Sequence, residues 1–582
     1  MNPEDAKKVV LRYGDVMRDY AEGVVSGEIL ACKWIRLACQ ATLDDLDAAA
    51  QSDAAGEGEN KGAVSSPFFP WRFDPIRAFR ACALIESLPH VKGPWASRGE
   101  KLLLSQWQVW ITASIFGWVN RETGRRRYRR ALVVVPRKSG KSAFAAGIGL
   151  YMAFADGDMG AEVYSGATSE RQAHEVFAPA RLMVERTPAL KARFGLETAV
   201  KRIISPATGS KFEPVVAKPG DGSSPSCAIV DEYHEHETDQ MVETFRTGMG
   251  ARENPLLFMI STAGDNLSGP CYAAIKEARA ALTGAVTDDH LFAALYGLDE
   301  GDDWTTDEAL VKANPNYGVS VSPEFLKAER DAALKTPRRQ GVFKTKHLNK
   351  WVGSRSQFFN MENWRKCADE SLDIEAFEGL DCYIGLDLGS VSDISAVALL
   401  FPPGDHSEKY AVFGRSYLPD SALSGRNRDR YQDFLLQGRL IVAGENMVDQ
   451  DRIEDDIRED MARFTLRSLS FDPWNATAMI SRLQAAGAPA VEFQKRTRNV
   501  SMPMKQLAGL IDDGLIIHDG DEAVAWMVGN VESYVDSADN VRAVKANPDS
   551  KIDFADALIA AFAVHLADEA ANIGREPRFF VA

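Results

Sequence analysis

The sequence predicts an α/β chain with a helical front, a phosphate-binding half and a metal-binding half, and three observations predict it. An apolar run, Ala131–Val135, leads through Pro136-Arg137-Lys138-Ser139-Gly140-Lys141-Ser142 into a small-residue helical stretch ending near Gly157. From Leu102 onward helical periods alternate with short apolar runs, the pattern of a parallel sheet covered by helices. Three separated aspartates, Asp387, Asp472 and Asp553, stand at strand ends or a helix start in a second block of the same kind.

Taken in order, residues 1–50 are predicted helical, because Val16, Tyr20, Val24, Ile29, Leu30 and Trp34 recur at helix-like intervals. Gln51–Ser66 is small, polar and Gly/Ser-rich, so it reads as a flexible linker or loop. Residues 1–100 form a mostly helical N-terminal region. Residues 101–355 form a nucleotide-binding domain, with strands at Ala131–Val135, Val163–Ser165, Ala228–Val230 and Leu256–Ser261. Asp302–Lys350 is more polar and helical, which suits a lid or linker subdomain. Trp351–Ala368 reads as a bridge, and residues 370–582 form a last α/β domain whose first strand begins at Tyr383.

Composition bounds the function class. The 582 residues suffice for two or three domains, and 45% hydrophobic content is ordinary for a globular chain. No apolar run approaches the ~20 residues that span a bilayer, and the N-terminus lacks the apolar core of a signal peptide. The seven cysteines are odd in number and scattered, so reduced thiols in a cytoplasmic protein are expected. A net charge of −16 argues against nonspecific coating of nucleic acid but leaves room for local contact.

A strand, a loop carrying Gly-Lys-Ser and a helix make a phosphate cradle, in which backbone N–H groups and the helix N-terminus meet phosphate oxygens. Arg137, Lys138, Ser139 and Gly140 shape that loop, Lys141 is expected to neutralise the β- and γ-phosphates, and Ser142 to hold Mg²⁺. Val135 stands where the usual pattern has its first glycine, and Pro136 fixes φ at the loop entry. Farther on, Cys227-Ala-Ile-Val-Asp231-Glu232 is an apolar strand ending in two acids. Asp231 suits the Mg²⁺ shell and Glu232 the polarising of an attacking water. Ser261 and Thr262, closing the next strand, are candidates to sense the γ-phosphate, and Gln108 to read adenine. Arg246 and Arg252 are each either an arginine finger on a neighbouring subunit's ATP or a solvated surface group.

In the last domain, Asp387 and Asp472 end strands and Asp553 opens an apolar helix. Asp556, three residues on, is the understudy on nearly the same helix face. Carboxylates on a first strand, a fourth strand and a late helix make the ribonuclease-H-like arrangement, whose hard oxygens bind paired Mg²⁺ for cutting nucleic acid. Arg121–Arg130 and Lys495–Arg498 with Lys505 are basic runs open to two readings, nucleic-acid contact or solvated surface. Tyr233-His234-Glu235-His236 invites a zinc reading, but no further ligands stand nearby in the sequence.

These motifs together resemble the large terminase subunit of tailed double-stranded-DNA phages. The resemblance rests on Pro136–Ser142, Val230-Asp231-Glu232, Ser261-Thr262-Ala263-Gly264 and Phe471-Asp472-Pro473-Trp474-Asn475-Ala476, and runs from about Leu102 almost to the end. It implies a P-loop (RecA-like, ASCE) ATPase domain followed by an RNase H-like nuclease domain. It further implies ATP and Mg²⁺ as cofactors, with Mn²⁺ possible at the nuclease, and double-stranded DNA as substrate. The implied partners are a portal protein on a procapsid, a small terminase subunit and further copies in a ring, in the cytoplasm of an infected bacterium without any membrane. A host-type P-loop helicase or repair nuclease is the alternative, and it would call for a second RecA-like domain.

Overall fold

The strands of the first sheet are continuous apolar runs because both faces are covered, and alternate residues divide between two cores. Ala131, Val133, Ile229, Phe258 and Ile260 point into one, while Leu132, Val134, Val230, Leu257 and Met259 point into the other. The computed structural model describes residues 3–57, 69–216, 222–352, 357–389, 393–404, 406–425, 427–473, 476–536, 539–545 and 549–572. It contains two units, Met1–Asp331 with Phe343–Trp351, and Ala332–Val342 with Val352–Ala582.

The first unit's eight-stranded sheet runs Leu291–Leu295, Arg130–Val134, Leu256–Ser261, Cys227–Asp231, Glu162–Ala167, Ser210–Val216, Arg202–Ser205, Glu197–Ala199. The first six are parallel and the last two close the edge antiparallel. Parallel pairing brings the strand leading into the phosphate loop and the strand ending at Asp231 to the same sheet edge, with the Leu256–Ser261 strand between them.

The N-terminal helices Pro3–Ser26 and Lys33–Glu57 share the core of this sheet through Met17, Tyr20, Val24 and Ile35. Tyr20 Oη lies 2.9 Å from Tyr296 Oη, and Trp110 Nε1 donates to Thr42 Oγ1 at 3.0 Å. The second helix runs through Glu57, so the stretch read as a linker begins as helix, and 58–66 lies outside the described residues. The basic run Arg121–Arg130 is largely committed to internal pairing. Arg126 is buried 2.6 Å from Asp156 and stacked on Phe116, and Arg127 lies 2.7 Å from Asp45.

The second unit's sheet runs Ile441–Val442, Tyr410–Leu418, Ser395–Phe401, Asp381–Asp387, Thr465–Phe471, Ala490–Glu492, with Ile516–His518 beside Tyr410–Leu418. Its first three strands in the chain are an antiparallel meander, so this unit is not a second copy of the first. Thr465–Phe471 then pairs parallel to Asp381–Asp387, with Leu386 opposite Phe471. Counting the two-residue Ile441–Val442, the strand before Asp472 is the fifth rather than the fourth. The buried helix Asp553–Asn572 lies across the Asp381–Asp387 strand at Gly385, where a Cβ would stand 1.9 Å from the Ala557 carbonyl oxygen. Only glycine permits that approach.

Candidate catalytic sites

The phosphate loop turns on two left-handed residues. Gly140 has φ 79° and begins the helix Lys141–Phe154, and Lys138 has φ 71°, a conformation that costs a non-glycine residue roughly 1–2 kcal/mol. Bracing from the 302–350 segment holds it. Ser320 Oγ donates to the Lys138 carbonyl at 2.6 Å, Asn316 Nδ2 donates to the Ser139 carbonyl at 3.2 Å, and Arg137 N–H donates to the Lys346 carbonyl at 2.9 Å. Asn316 is itself fixed by Trp107 Nε1 at 2.7 Å and Ser105 Oγ at 3.0 Å. The sequence suits this segment to a lid or linker subdomain and gives no sign that Asn316 and Ser320 shape the loop, since nothing local links them to it.

Arg137 and Lys138 are exposed, Ser142 is half-buried, and Ser139 is buried with no hydrogen-bond partner for its hydroxyl among the described residues. Gln108 is buried beside the loop, its Nε2 3.9 Å from where a Gly140 Cβ would sit. Its Oε1 accepts from Ser105 N–H at 3.0 Å in a capping box, so only its amide N–H₂ side is available to a nucleotide. Lys141 Nζ lies 3.5 Å from both the Val135 carbonyl and Glu232 Oε1. Burial lowers the Lys141 pKa, while Glu232 and Asp231 oppose that shift.

Asp231 is buried, and burial lifts its carboxyl to about 7, with Glu232 adding and Lys141 opposing. Its Oδ1 accepts from Glu232 N–H at 2.9 Å. Glu232 is left-handed at φ 47°, ψ 48°. Burial pushes its carboxyl up, but the His234 hydrogen bond and the Lys141 charge outweigh this and hold it at about 2. Lys141, Asp231 and Glu232 therefore converge at one sheet edge, with Thr262 Oγ1 3.4 Å from Glu232 Oε2. Arg246 is exposed and paired with Glu243 at 2.6 Å. Arg252 is tied down by the Ser224 and Gly160 carbonyls at 2.8 and 3.0 Å and by Asp158 at 3.2 Å.

In the second unit the parallel register carries Asp387 and Asp472 off the same end of neighbouring strands. The helix Asp553–Asn572 brings Asp553 and Asp556 to that end. Burial pushes Asp387 up to about 6 and Asp553 up to about 7, with Asp387 and Asp393 adding to the latter. Lys495 Nζ bridges the cluster, 2.8 Å from Asp387 Oδ1 and 3.0 Å from Asp556 Oδ2. Lys495 of the basic run thus sits on the acids, while Lys505 reaches the Asp539 carbonyl at 2.7 Å. Among the described residues no three histidine, cysteine or carboxylate groups stand close enough to hold an ion between them, here or at His234 and His236. The acids nonetheless fit a hard cation. Asp553 Oδ2 is buried without any hydrogen-bond partner among the described residues, and the set consists of carboxylate oxygens alone. Asp393, which sequence reading did not single out as a site, holds Lys551 at 2.6 Å beside them.

With both units in view, comparison with known proteins gives the family. The model of the terminase large subunit ATPase domain matches residues 106–280, and that of the terminase large subunit endonuclease domain matches 285–569. Protein YmfN of Escherichia coli (strain K12) is 40% identical over 353 residues, 59% of this chain and 78% of its own length. The terminase large subunit of Enterobacteria phage HK97 is 26% identical over 433 residues, 73% of this chain and 84% of its own. The crystal structure of the HK97 large terminase aligns at 24% identity and a TM-score of 0.42, covering 84% of this chain and 99% of that one. The P-loop ATPase unit and the RNase H-like nuclease unit thus stand on one polypeptide, and the chain belongs to the terminase large subunit family.

Proposed function

We propose that this chain is an ATP-driven motor that moves double-stranded DNA into a procapsid and cuts the concatemeric genome. The observation that carries the reading is that one polypeptide holds two acid-and-cation sets, each at the end of parallel strands: Lys141 with Asp231 and Glu232, and Asp387 with Asp472, Asp553 and Asp556.

At the first site Lys141 moves from Glu232 onto the β- and γ-phosphates, with Arg137, Lys138, Ser139 and Gly140 wrapping them and Gln108 offering its amide donor to the base. Ser142 and Asp231 would hold Mg²⁺, and Glu232 aligns the attacking water as a carboxylate, the form favoured by its low pKa. At the second site Asp387, Asp472 and Asp553 would hold Mg²⁺, or Mn²⁺, with Asp556 the alternative third acid. Metal bound there supplies an activated water and stabilises the leaving 3′ oxygen. Lys495 keeps Asp387 and Asp556 together against their mutual repulsion.

A portal protein, a small terminase subunit and further copies of this chain in a ring are the partners this reading calls for, in the cytoplasm of an infected bacterium. Among the described residues no helix is long and apolar enough to cross a membrane. The test is packaging. Procapsids, ATP and the full chain should protect DNA from added nuclease, and Lys141→Met should remove the protection. Protection without ATP, or undiminished in Lys141→Met, would overturn the reading.

A further inference from the structure

His234 follows the two strand-end acids and was weighed in the sequence only as a metal ligand. Its side chain is wholly buried and its ring is surrounded by polar atoms. Nδ1 lies 3.2 Å from Glu232 Oε2, 3.0 Å from Ser261 Oγ and 3.5 Å from Thr262 Oγ1. Nε2 lies 3.4 Å from Lys346 Nζ and 3.4 Å from Glu235 Oε1.

We propose that His234 is a positioning residue for ATP cleavage, its imidazole holding the Glu232 carboxylate in place and tying it to the end of the Leu256–Ser261 strand and to Lys346. The proposal rests on Glu232 being the group that aligns the water.

The contacts at Nδ1 place a proton there. Ser261 Oγ donates its one proton to the Thr262 carbonyl at 3.0 Å and accepts from the His234 backbone N–H at 2.9 Å. It can therefore only accept from the ring, and Glu232 is an acceptor as well, so Nδ1 carries the proton. Nε2 stands 3.4 Å from both the Lys346 ammonium and the Glu235 carboxylate. The imidazole thus lies between Lys346 and Glu232 Oε2, with its Nδ1–H on the acid.

Such a tie is needed because Glu232 is pulled two ways. Its backbone is in a left-handed conformation that L-residues rarely adopt, and its Oε1 faces the buried Lys141 at 3.5 Å. Of the groups named around Oε2, His234 is nearer than Thr262, 3.2 against 3.4 Å. Without the imidazole, the carboxylate is free to turn onto Lys141 and away from the position in which it orients water. Lys346 also accepts the Arg137 N–H through its backbone carbonyl, so one residue braces the phosphate loop and, through His234, the acid opposite it.

The full chain tests this with His234→Asn, His234→Gln and Glu232→Gln, measuring ATP kcat and KM beside affinity for a fluorescent ATP analogue. An asparagine amide reaches the Nδ1 position and a glutamine amide the Nε2 position. His234→Gln is expected to lower kcat about a hundredfold with analogue affinity unchanged. His234→Asn is expected to restore most of the turnover. Equal losses in the two variants, loss of nucleotide affinity in step with kcat, or normal turnover in His234→Gln would overturn the proposal. If His234→Gln does not fold, Ser261→Ala removes the acceptor that orients the ring and should lower kcat with affinity intact, and normal turnover there would overturn it. Glu232→Gln separates the two readings. Inactive Glu232→Gln beside active His234→Gln defeats only the role of His234, whereas active Glu232→Gln defeats the assignment of Glu232 itself.

Discussion

Lys141 Nζ and Glu232 Oε1 face each other at 3.5 Å across the mouth of the phosphate loop. The two opposite charges neutralise one another in the free protein. In the proposed function nucleotide binding would exchange one partner of Lys141 for another, so the lysine would never be buried without an anion. Such an exchange keeps a buried ammonium affordable in both states.

Lys141→Met should therefore remove nucleotide affinity and turnover together while the second unit keeps its metal-dependent cutting. Equilibrium binding of a fluorescent ATP analogue checks the first part. Affinity within severalfold of wild type would show that phosphate is held elsewhere.

Gly385 lets the Asp553–Asn572 helix lie against the strand carrying Asp387, because a Cβ there would stand 1.9 Å from the Ala557 carbonyl. Gly385→Ala should destabilise the second unit by about 3 kcal/mol or more, as overpacking against rigid backbone does. Thermal unfolding reads this directly, and an unchanged transition would contradict the packing described.

Asp553 has a buried oxygen with no hydrogen-bond partner among the described residues and a carboxyl pushed up to about 7. Asp553→Asn removes a charge that burial disfavours, so the metal-free protein should gain about 1 kcal/mol while metal-dependent cutting is lost. Opposed changes in melting temperature and cleavage are the expected result. A variant that melts lower and still cuts would hand the third acid's place to Asp556.

Asp521 caps the helix Glu522–Gly529, accepting from Ala523 and Val524 N–H at 2.7 and 3.1 Å, yet burial pushes its carboxyl up to about 6. Folding raises its pKa above the ordinary aspartate value. Its contribution is thus fully present below about 4 and is lost as pH rises through about 6. Asp521→Asn keeps the cap and should flatten the fall in stability across that window, which melting temperatures at several pH values will show. Parallel wild-type and variant profiles would rule this out.

Local signals were legible in the sequence and distant ones were not. Pro136–Ser142 and Cys227–Glu232 announce themselves because strand, loop and helix are contiguous there, and their residues lie at one sheet edge. Asp387, Asp472 and Asp553 could be read as a set because strand-end acids in one α/β block have few places to meet. Lys495 lies between Asp387 and Asp556, and Asn316 and Ser320 hold the phosphate loop, by contacts made across long chain separations that no periodicity reveals. The run Arg121–Arg130 shows the converse failure. A dense basic run reads as nucleic-acid contact or as solvated surface, but Arg126 and Arg127 find Asp156 and Asp45, acids far from them in the chain, and are buried.

ATP turnover and DNA cutting are separable activities of this one chain. The most direct measurement follows Mg²⁺-dependent DNA cutting and ATP turnover side by side in the full protein, in Glu232→Gln and in Asp472→Ala. Loss of turnover alone in the first variant and loss of cutting alone in the second is the result predicted. Undiminished turnover in Glu232→Gln, or undiminished cutting in Asp472→Ala, would contradict it.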